Sequence, residues 1–388
     1  MSADMEAEVK TGPLAGFRII EMAGLGPVPL AGLILSEMGA TVLRVERAST
    51  ARAFLTLPPE YDLDRHGRSI VKLDLKRPEA VELMLKLVEN ADALIEGFRP
   101  GVMERLRLGP DEAMERNPRL VYGRMTGFGQ DGPLAQRAGH DLTYLALSGV
   151  LHAIGPRDGK PVPPLNLVAD YGGGTMFLIA GVLAALLERS RSGKGQVVDA
   201  AMIDGASMLA APFFGFMASG IWQDRRGANL LDSGAPFYDT YETSDGKHVA
   251  VACLEPQFFA EFARLLPLDD SFAKAQFDQS KWPEMRSAIA ERFKTGTRDN
   301  WAALFEDTDA CVAPVLGLTE APRHPHNSAR KTHRTTGKLT RPEPAPRFSR
   351  TGSSVSGPAS YDPAAALSAF GIDESDVERL ASEGVIHR

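Results

Sequence analysis

Two short segments of this chain hold side chains able to move protons. Ala138-Gly139-His140-Asp141 sets a histidine after glycine, and Val168-Ala169-Asp170-Tyr171-Gly172-Gly173-Gly174 sets a carboxylate just before three more glycines. Glycine lets backbone and ligand approach closely, so each titratable group stands where a small molecule can reach it. A histidine and a carboxylate on opposite sides of one carbon can take a proton from one face and return one to the other. That is the minimum apparatus for inverting a stereocentre. A neutral His140 near pH 7 can serve as the base, and Asp170, kept protonated in a partly apolar pocket, as the acid. The reverse direction exchanges their roles. Asp141 opens a helical pattern, so its backbone N–H lies near a helix N-terminus and can receive a developing oxyanion. A donor of that kind contributes on the order of 3 kcal/mol to a barrier. Structural roles compete with these: His140 can be a helix-start residue, and Asp170 can cap the helix that follows it.

The elements that must position these groups alternate along the first two hundred residues. Apolar or β-branched runs at 17–22, 41–45, 69–73, 93–96, 120–125 and 196–200 read as strands. Helical patterns at 30–38, 77–89 and 111–117 fall between them, and a longer helix pair is expected at 142–154 and 173–190. This rhythm predicts an α/β fold with a mainly parallel, Rossmann-like sheet covered on both faces. The character changes near residue 235. Runs at 238–241 and 248–253 flank Asp245-Gly246, a strong hairpin signal. Helices at 257–266, 282–292 and 300–306 complete a smaller α+β domain. The expected organisation is a large domain over 1–200, linker helices over 201–235, the small domain over 236–325, and a connector returning to the large domain over 326–388. Within the last, residues 341–360 are rich in Pro, Ser and Gly, and a helical tail follows from 362.

Composition bounds the function. The chain has 388 residues, 44% hydrophobic and 24% charged, with a net charge of -7, which argues against nucleic acid as a partner. Two cysteines, Cys253 and Cys311, do not make a disulfide framework or a thiolate metal site. His324-Pro325-His326 lacks a third ligand nearby, so no metal is expected. The acidic residues 1–10 lack the apolar core of a signal peptide. The most apolar helical stretch, 176–187, is too short to span a bilayer before Glu188-Arg189. A cytoplasmic location with no membrane partner is expected.

Gly24-Leu25-Gly26-Pro27-Val28-Pro29 follows the first strand, and Glu46 ends the second about where a dinucleotide fold keeps its ribose acid. A nicotinamide-dependent oxidoreductase is therefore a competing reading. Pro29 replaces the third glycine, however, and neither Pro27 nor Pro29 has the N–H that a pyrophosphate would use. Cationic positions stand instead at strand ends and early loops: Arg47, Lys76 in Leu73-Asp74-Leu75-Lys76, Arg99 in Gly97-Phe98-Arg99-Pro100-Gly101, and Arg105. In a doubly wound sheet such positions converge on one crevice. Arginines there suit a ligand carrying several phosphates, such as coenzyme A.

The order and spacing of those segments, with Gly127-Phe128-Gly129-Gln130-Asp131-Gly132-Pro133 and Ser192-Gly193-Lys194-Gly195-Gln196-Val197-Val198-Asp199, resemble the class III coenzyme A transferase superfamily over most of residues 13–260. The similarity continues through Ala310-Cys311-Val312-Ala313-Pro314-Val315 and Ala345-Pro346-Arg347-Phe348-Ser349-Arg350. Within it, the chain is most similar to the α-methylacyl-CoA racemases of bacterial type. The resemblance implies a homodimer of interlocked chains and an acyl-CoA thioester substrate, with no tightly bound cofactor because coenzyme A is part of that substrate. It implies coenzyme A contacts at Arg47, Leu73, Asp74, Leu75, Lys76, Gly97, Phe98, Arg99, Arg105, Gly139, Asp141 and Tyr144. It implies catalytic roles for His140, Asp170 and Glu255, the last partnering the histidine across the subunit interface. The transferase branch uses a carboxylate nucleophile where Asp170 stands. His140 and Glu255 favour the racemase branch. A non-catalytic acyl-CoA-binding protein is a further alternative.

Overall fold

The computed structural model describes residues 11–48 and 57–387; the acidic stretch 1–10 lies outside them. Those residues fall into two compact units. The first runs up to Ser148, resumes for Leu165–Leu209 and again from His333 onward; the second comprises Gly149–Pro164 and Ala210–Thr332. No sequence signal marked the 149–164 excursion.

In the first unit, strands β1 (Arg18–Met22), β2 (Thr41–Arg47), β3 (Arg68–Leu73), β4 (Ala93–Glu96), β5 (Val121–Thr126) and β6 (Gln196–Ala201) pair in parallel in the order β3-β2-β1-β4-β5-β6. Helix α1 (Pro27–Glu37) connects β1 to β2, and α2 (Pro78–Glu89) connects β3 to β4. Helices α3 (Val102–Arg105) and α4 (Pro110–Arg116) precede β5. The chain changes direction across the sheet at β1 and β4, and a crevice opens at such a point beyond the strand carboxyl ends. Ile386–His387 adds an antiparallel edge strand against β3 that the sequence did not announce.

Strand alternation sorts the two faces of the sheet. Ile20, Met22, Leu43, Val45, Val71 and Leu73 point into one apolar cluster, with Leu83, Met84 and Leu87 of α2 and with Leu367, Phe370 and Leu380 from the C-terminal helices. The α1 side carries a buried ion cluster instead. Glu21, Arg44 and Arg68 are at most 5% exposed. Arg68 donates from Nε to Glu21 Oε2 at 2.9 Å, and Arg44 pairs with the other Glu21 oxygen. Gly32 of α1 leaves room for that pair, because a Cβ there would overlap the Glu21 carboxylate.

The expected 142–154 helix is broken. Helix α5 (Asp141–Leu147) and α6 (Val150–Ala153) are separated by Gly149, whose φ of 84° no helix accommodates. The expected 173–190 helix begins earlier: a π-helix spans Leu167–Thr175 and runs into α7 (Met176–Ser192). Together they make one 26-residue apolar helix, long enough to cross a membrane by length and composition, so the sequence argument from shortness does not hold. Leu178, Ile179 and Val182 of α7 are buried, and α7 packs on β5 and β6. Helix α8 (Met202–Leu209) lies against the π-helix.

The expected 341–360 connector starts inside a strand, Leu339–Pro342, paired with His333–Thr336. Its Arg341 and Ser356 both bind the Glu37 carboxylate at the end of α1. In the second unit β7 (Tyr238–Glu242) and β8 (His248–Ala252) form the expected hairpin, with Gly246 at φ 71°. β9 (Val312–Pro314) extends it over a phenylalanine-rich core containing Phe237, Phe259, Phe262 and Phe293.

Candidate active site

A cleft of about 400 Å³ opens at the carboxyl ends of β1, β4 and β5, wholly within the first unit. Its walls come from residues 25–28 after β1, 97–100 after β4, 125–128 at the end of β5 and the 135–140 loop, with Tyr144 of α5, Asp170 of the π-helix and Met202 beside them. His140 and Asp170 thus share one cleft, with Gly97, Phe98, Arg99, Gly139 and Tyr144.

His140 is the N-cap residue of α5, in extended conformation. Thr143 Oγ1 accepts from the His140 N–H at 3.0 Å and donates to its carbonyl at 2.8 Å, so the backbone is held while the residue stays exposed. Asp170 sits inside the π-helix, so it does not cap α7 as the structural alternative had it. A π-turn widens a helix locally and is frequent at functional sites. Asn166 Nδ2 donates to Asp170 Oδ2 at 3.3 Å. On its other side the carboxylate faces Gly26: a Cβ there would lie 3.2 Å from Oδ2. Burial pushes the Asp170 carboxyl above its ordinary range. The Asn166 hydrogen bond and His140 pull it down, and Asp141 pushes it up. A raised carboxyl pKa suits a group that must hold a proton near neutral pH.

Tyr144 forms the cleft floor. Burial, with Asp170 nearby, pushes its phenol up to about 12, so it stays a protonated donor. Phe128 meets its ring edge-on at 4.9 Å. This packing explains two glycines in the motifs. A Cβ on Gly139 would come within 2.5 Å of the Tyr144 ring, and one on Gly127 would overlap it. The 97–100 wall is anchored by Glu96, whose Oε2 accepts the Phe98 N–H at 2.7 Å and whose Oε1 accepts from Arg124 at 3.1 Å. Burial raises the Glu96 carboxyl to about 7.

Other expected positions lie outside this cleft lining. Arg47 ends β2 opposite Leu73 of β3, and Asp74 turns the chain by accepting the Lys76 N–H at 3.2 Å. With strands adjacent in the order β3-β2-β1-β4, the Leu73-to-Lys76 loop, Arg47 and the cleft follow one carboxyl edge. Leu73 is buried, so it can offer a ligand only backbone. Arg105 ends α3, close to the Gly101 backbone. Asp141 is 5% exposed, and its side chain turns inward, away from the role expected of its backbone. Glu255 belongs to the second unit, exposed at the N-cap of the Pro256–Leu265 helix.

Sequence reasoning missed Arg137 and Met202, which also line the cleft. Arg137 stands three positions before His140, and the one available signal was its charge within a glycine-bearing loop. Met176, at the start of the apolar stretch 176–187, is 51% exposed. The dinucleotide reading loses its ribose acid, because Glu46 Oε1 accepts from Arg44 at 3.1 Å and from Arg65 at 3.0 Å. Pro27 starts α1 at its first turn, so the glycine loop offers the cleft shape but few N–H donors.

The model of CoA-transferase family III matches residues 14–364. The chain is 42% identical over 381 residues to the α-methylacyl-CoA racemase of Mus musculus, covering 96% of this chain and 97% of that protein. It is 42% identical to the Homo sapiens α-methylacyl-CoA racemase, with 87% of each chain covered. The human succinyl-CoA:glutarate CoA-transferase is 27% identical over 357 residues, covering 87% of this chain and 81% of that one. Among solved structures, Rv3272 from Mycobacterium tuberculosis matches with a TM-score of 0.75 at 27% identity, covering 91% of this chain and 98% of that one. A CaiB/BaiF family protein from Brucella suis matches with a TM-score of 0.76 at 25% identity, covering 90% and 96%. The parallel sheet, its switch-point cleft and the match over nearly the whole chain lead to one conclusion: this chain belongs to CoA-transferase family III.

Proposed function

We propose that this chain is an α-methylacyl-CoA racemase, interconverting (2R)- and (2S)-2-methylacyl-CoA thioesters by 1,1-proton transfer through an enolate, in lipid catabolism. The observation that carries the reading is that His140 and Asp170 open onto one cleft. The extensive likeness to the mouse and human racemases supports it. In one direction a neutral His140 removes the α-proton, the C–H electron pair moves into the enolate, and protonated Asp170 delivers a proton to the opposite face. The aspartate leaves as carboxylate and the histidine as imidazolium; the reverse direction restores both. The thioester oxygen, anionic in the enolate, is received by the Asp141 N–H at the start of α5. The coenzyme A portion follows the carboxyl edge of the sheet, with Arg99 at the cleft and Arg47, Lys76 and Arg105 taking the phosphates. The Gly97, Phe98, Gly139 and Tyr144 walls hold the pantetheine. Glu255, by the family resemblance, partners His140 in an assembled homodimer.

The second reading is a CoA-transferase in which the Asp170 carboxylate attacks the thioester carbonyl, expelling the coenzyme A thiolate and forming an acyl-aspartyl intermediate. The named transferases among the relatives favour it. One experiment separates the two. A single epimer of 2-methylacyl-CoA is incubated in deuterium oxide without an acceptor acid, following α-deuterium by mass spectrometry and epimer ratio by chiral analysis. Deuterium uptake with drift toward both epimers, lost in His140→Ala and Asp170→Ala, is expected. No exchange, but coenzyme A transfer once an acceptor acid is added, would overturn the racemase reading.

A further inference from the structure

The Asp141 carboxylate has a place in the site that its backbone role does not explain. Its Oδ1 accepts the Asp170 N–H at 2.7 Å and the Ala169 N–H at 2.9 Å. Its Oδ2 is buried without a hydrogen-bond partner, and the residue is 5% exposed. A buried, incompletely satisfied carboxylate costs stability. An uncharged acceptor such as the asparagine amide oxygen could take the same two N–H groups at lower desolvation cost. The two bonds link the first turn of α5, which carries His140, to the π-helix, which carries Asp170. Asp141 is therefore covalently adjacent to one member of the proton-transfer pair and hydrogen-bonded to the backbone of the other.

We propose that Asp141 acts through its buried side chain as a positioning residue for the His140–Asp170 pair, and that the reaction uses its negative charge as well as its two hydrogen bonds. The inference rests on the racemase reading for the reaction, but not for the electrostatics. The groups facing Asp170 define the field it feels. From α5 come Asp141, His140 and Tyr144; from its own π-helix comes Asn166; α1 offers the Gly26 backbone, and Arg99 and Arg137 line the same cleft. Of the carboxylates of the other packed elements, Asp204 of α8 acts on Asp199 of β6. Burial is the larger influence that pushes the Asp170 carboxyl up, and Asp141 is the anion that adds to it. Asp170 then holds its proton more tightly.

The test uses the full-length protein with Asp141→Asn and Asp141→Ala. The pH profile of α-deuterium uptake is measured, together with the titration of the Asp170 carboxyl carbon by NMR, assigned by its loss in Asp170→Asn. Asp141→Asn is expected to displace the Asp170 titration, and the limb of the profile that Asp170 sets, to lower pH. Asp141→Ala, which also loses the two acceptor bonds, is expected to lower kcat at least tenfold with little change in KM. An Asn variant whose profile and Asp170 titration superimpose on the wild type would overturn the role of charge. An Ala variant as active as wild type would overturn the positioning role. Should the variants fail to fold, the wild-type Asp170 amide decides. Slow hydrogen exchange and a downfield shift are expected of an N–H held by a carboxylate, and free exchange would overturn the proposal. If wild type takes up no deuterium, the racemase reading fails, and the Asp170 titration still tests the inference.

Discussion

At the scale of single residues the site is shaped by close approaches between side chains and glycine. Gly26 shows it most clearly. Its φ of 72° with ψ -115° is a conformation that side chains rarely adopt, and its Cα lies against the Asp170 carboxylate. Alanine there must relax the backbone, at a cost on the order of 1–2 kcal/mol, and its Cβ, 3.2 Å from Oδ2, would crowd the carboxylate. Gly26→Ala is therefore expected to lower kcat by tenfold or more, since a misplacement of about 1 Å can cost a hundredfold, while the melting temperature falls by only a few degrees. Steady-state kinetics beside thermal unfolding checks this. A variant as active as wild type would mean that Asp170 does not need its observed position. The second glycine of the apparent dinucleotide motif thus makes room for a carboxylate.

At the scale of elements, the sequence was most legible where periodicity is strong. All six parallel strands and helices such as α2 are where alternation and spacing put them, because apolar residues there face a sheet covered on both sides. Legibility failed where one residue or a distant partner decides. Gly149 ends α5 by its own conformation. The Ile386–His387 strand forms only because the edge of β3 is available to it. For the site, His140 and Asp170 were legible from type and glycine context. The inward turn of Asp141 and the cleft positions of Arg137 and Met202 were not, because they depend on how α5, α8 and the π-helix meet. The π-turn itself had no sequence signal, and its setting explains the glycine run after Asp170. A Cβ on Gly173 would come within 2.5 Å of the Ala206 nitrogen of α8, and one on Gly205 would overlap the Gly173 carbonyl. These helices touch through backbone. Gly173→Ala must force them apart, and overpacking of this sort costs about 1–3 kcal/mol. The expected result is a lower denaturant midpoint together with reduced activity, because the shifted segment carries Asp170. A Gly173→Ala protein of wild-type stability would show that the contact yields freely.

At the scale of the whole molecule, the apolar surface of the first unit calls for a partner. Leu142 and Leu147 of α5, Leu167 of the π-helix, Met176 and Leu187 of α7, and Met208 and Leu209 of α8 are all at least 44% exposed. They lie on elements packed in series, α5 on α8, α8 on the π-helix and the π-helix on α7. Exposed apolar side chains on successive packed elements mark an interface more often than a solvated face. The proposed homodimer would put a second copy of this chain there, interlocked with the first as the family resemblance implies. Two expectations follow from that proposal, and they differ from those for an ordinary dimer. Sedimentation should give the mass of two chains, and Leu187→Asp with Met208→Asp should lower the yield of folded protein, since a face buried in assembly cannot carry charge without cost. Chains that pass through one another also cannot part without unfolding. Light and isotopically heavy preparations mixed under native conditions should therefore form no hybrid dimers by native mass spectrometry, whereas co-refolding from denaturant should give about half hybrids if chains pair at random. Hybrids appearing in native buffer would mean that the two chains sit side by side, and a monomeric mass would leave the apolar helices to some other partner.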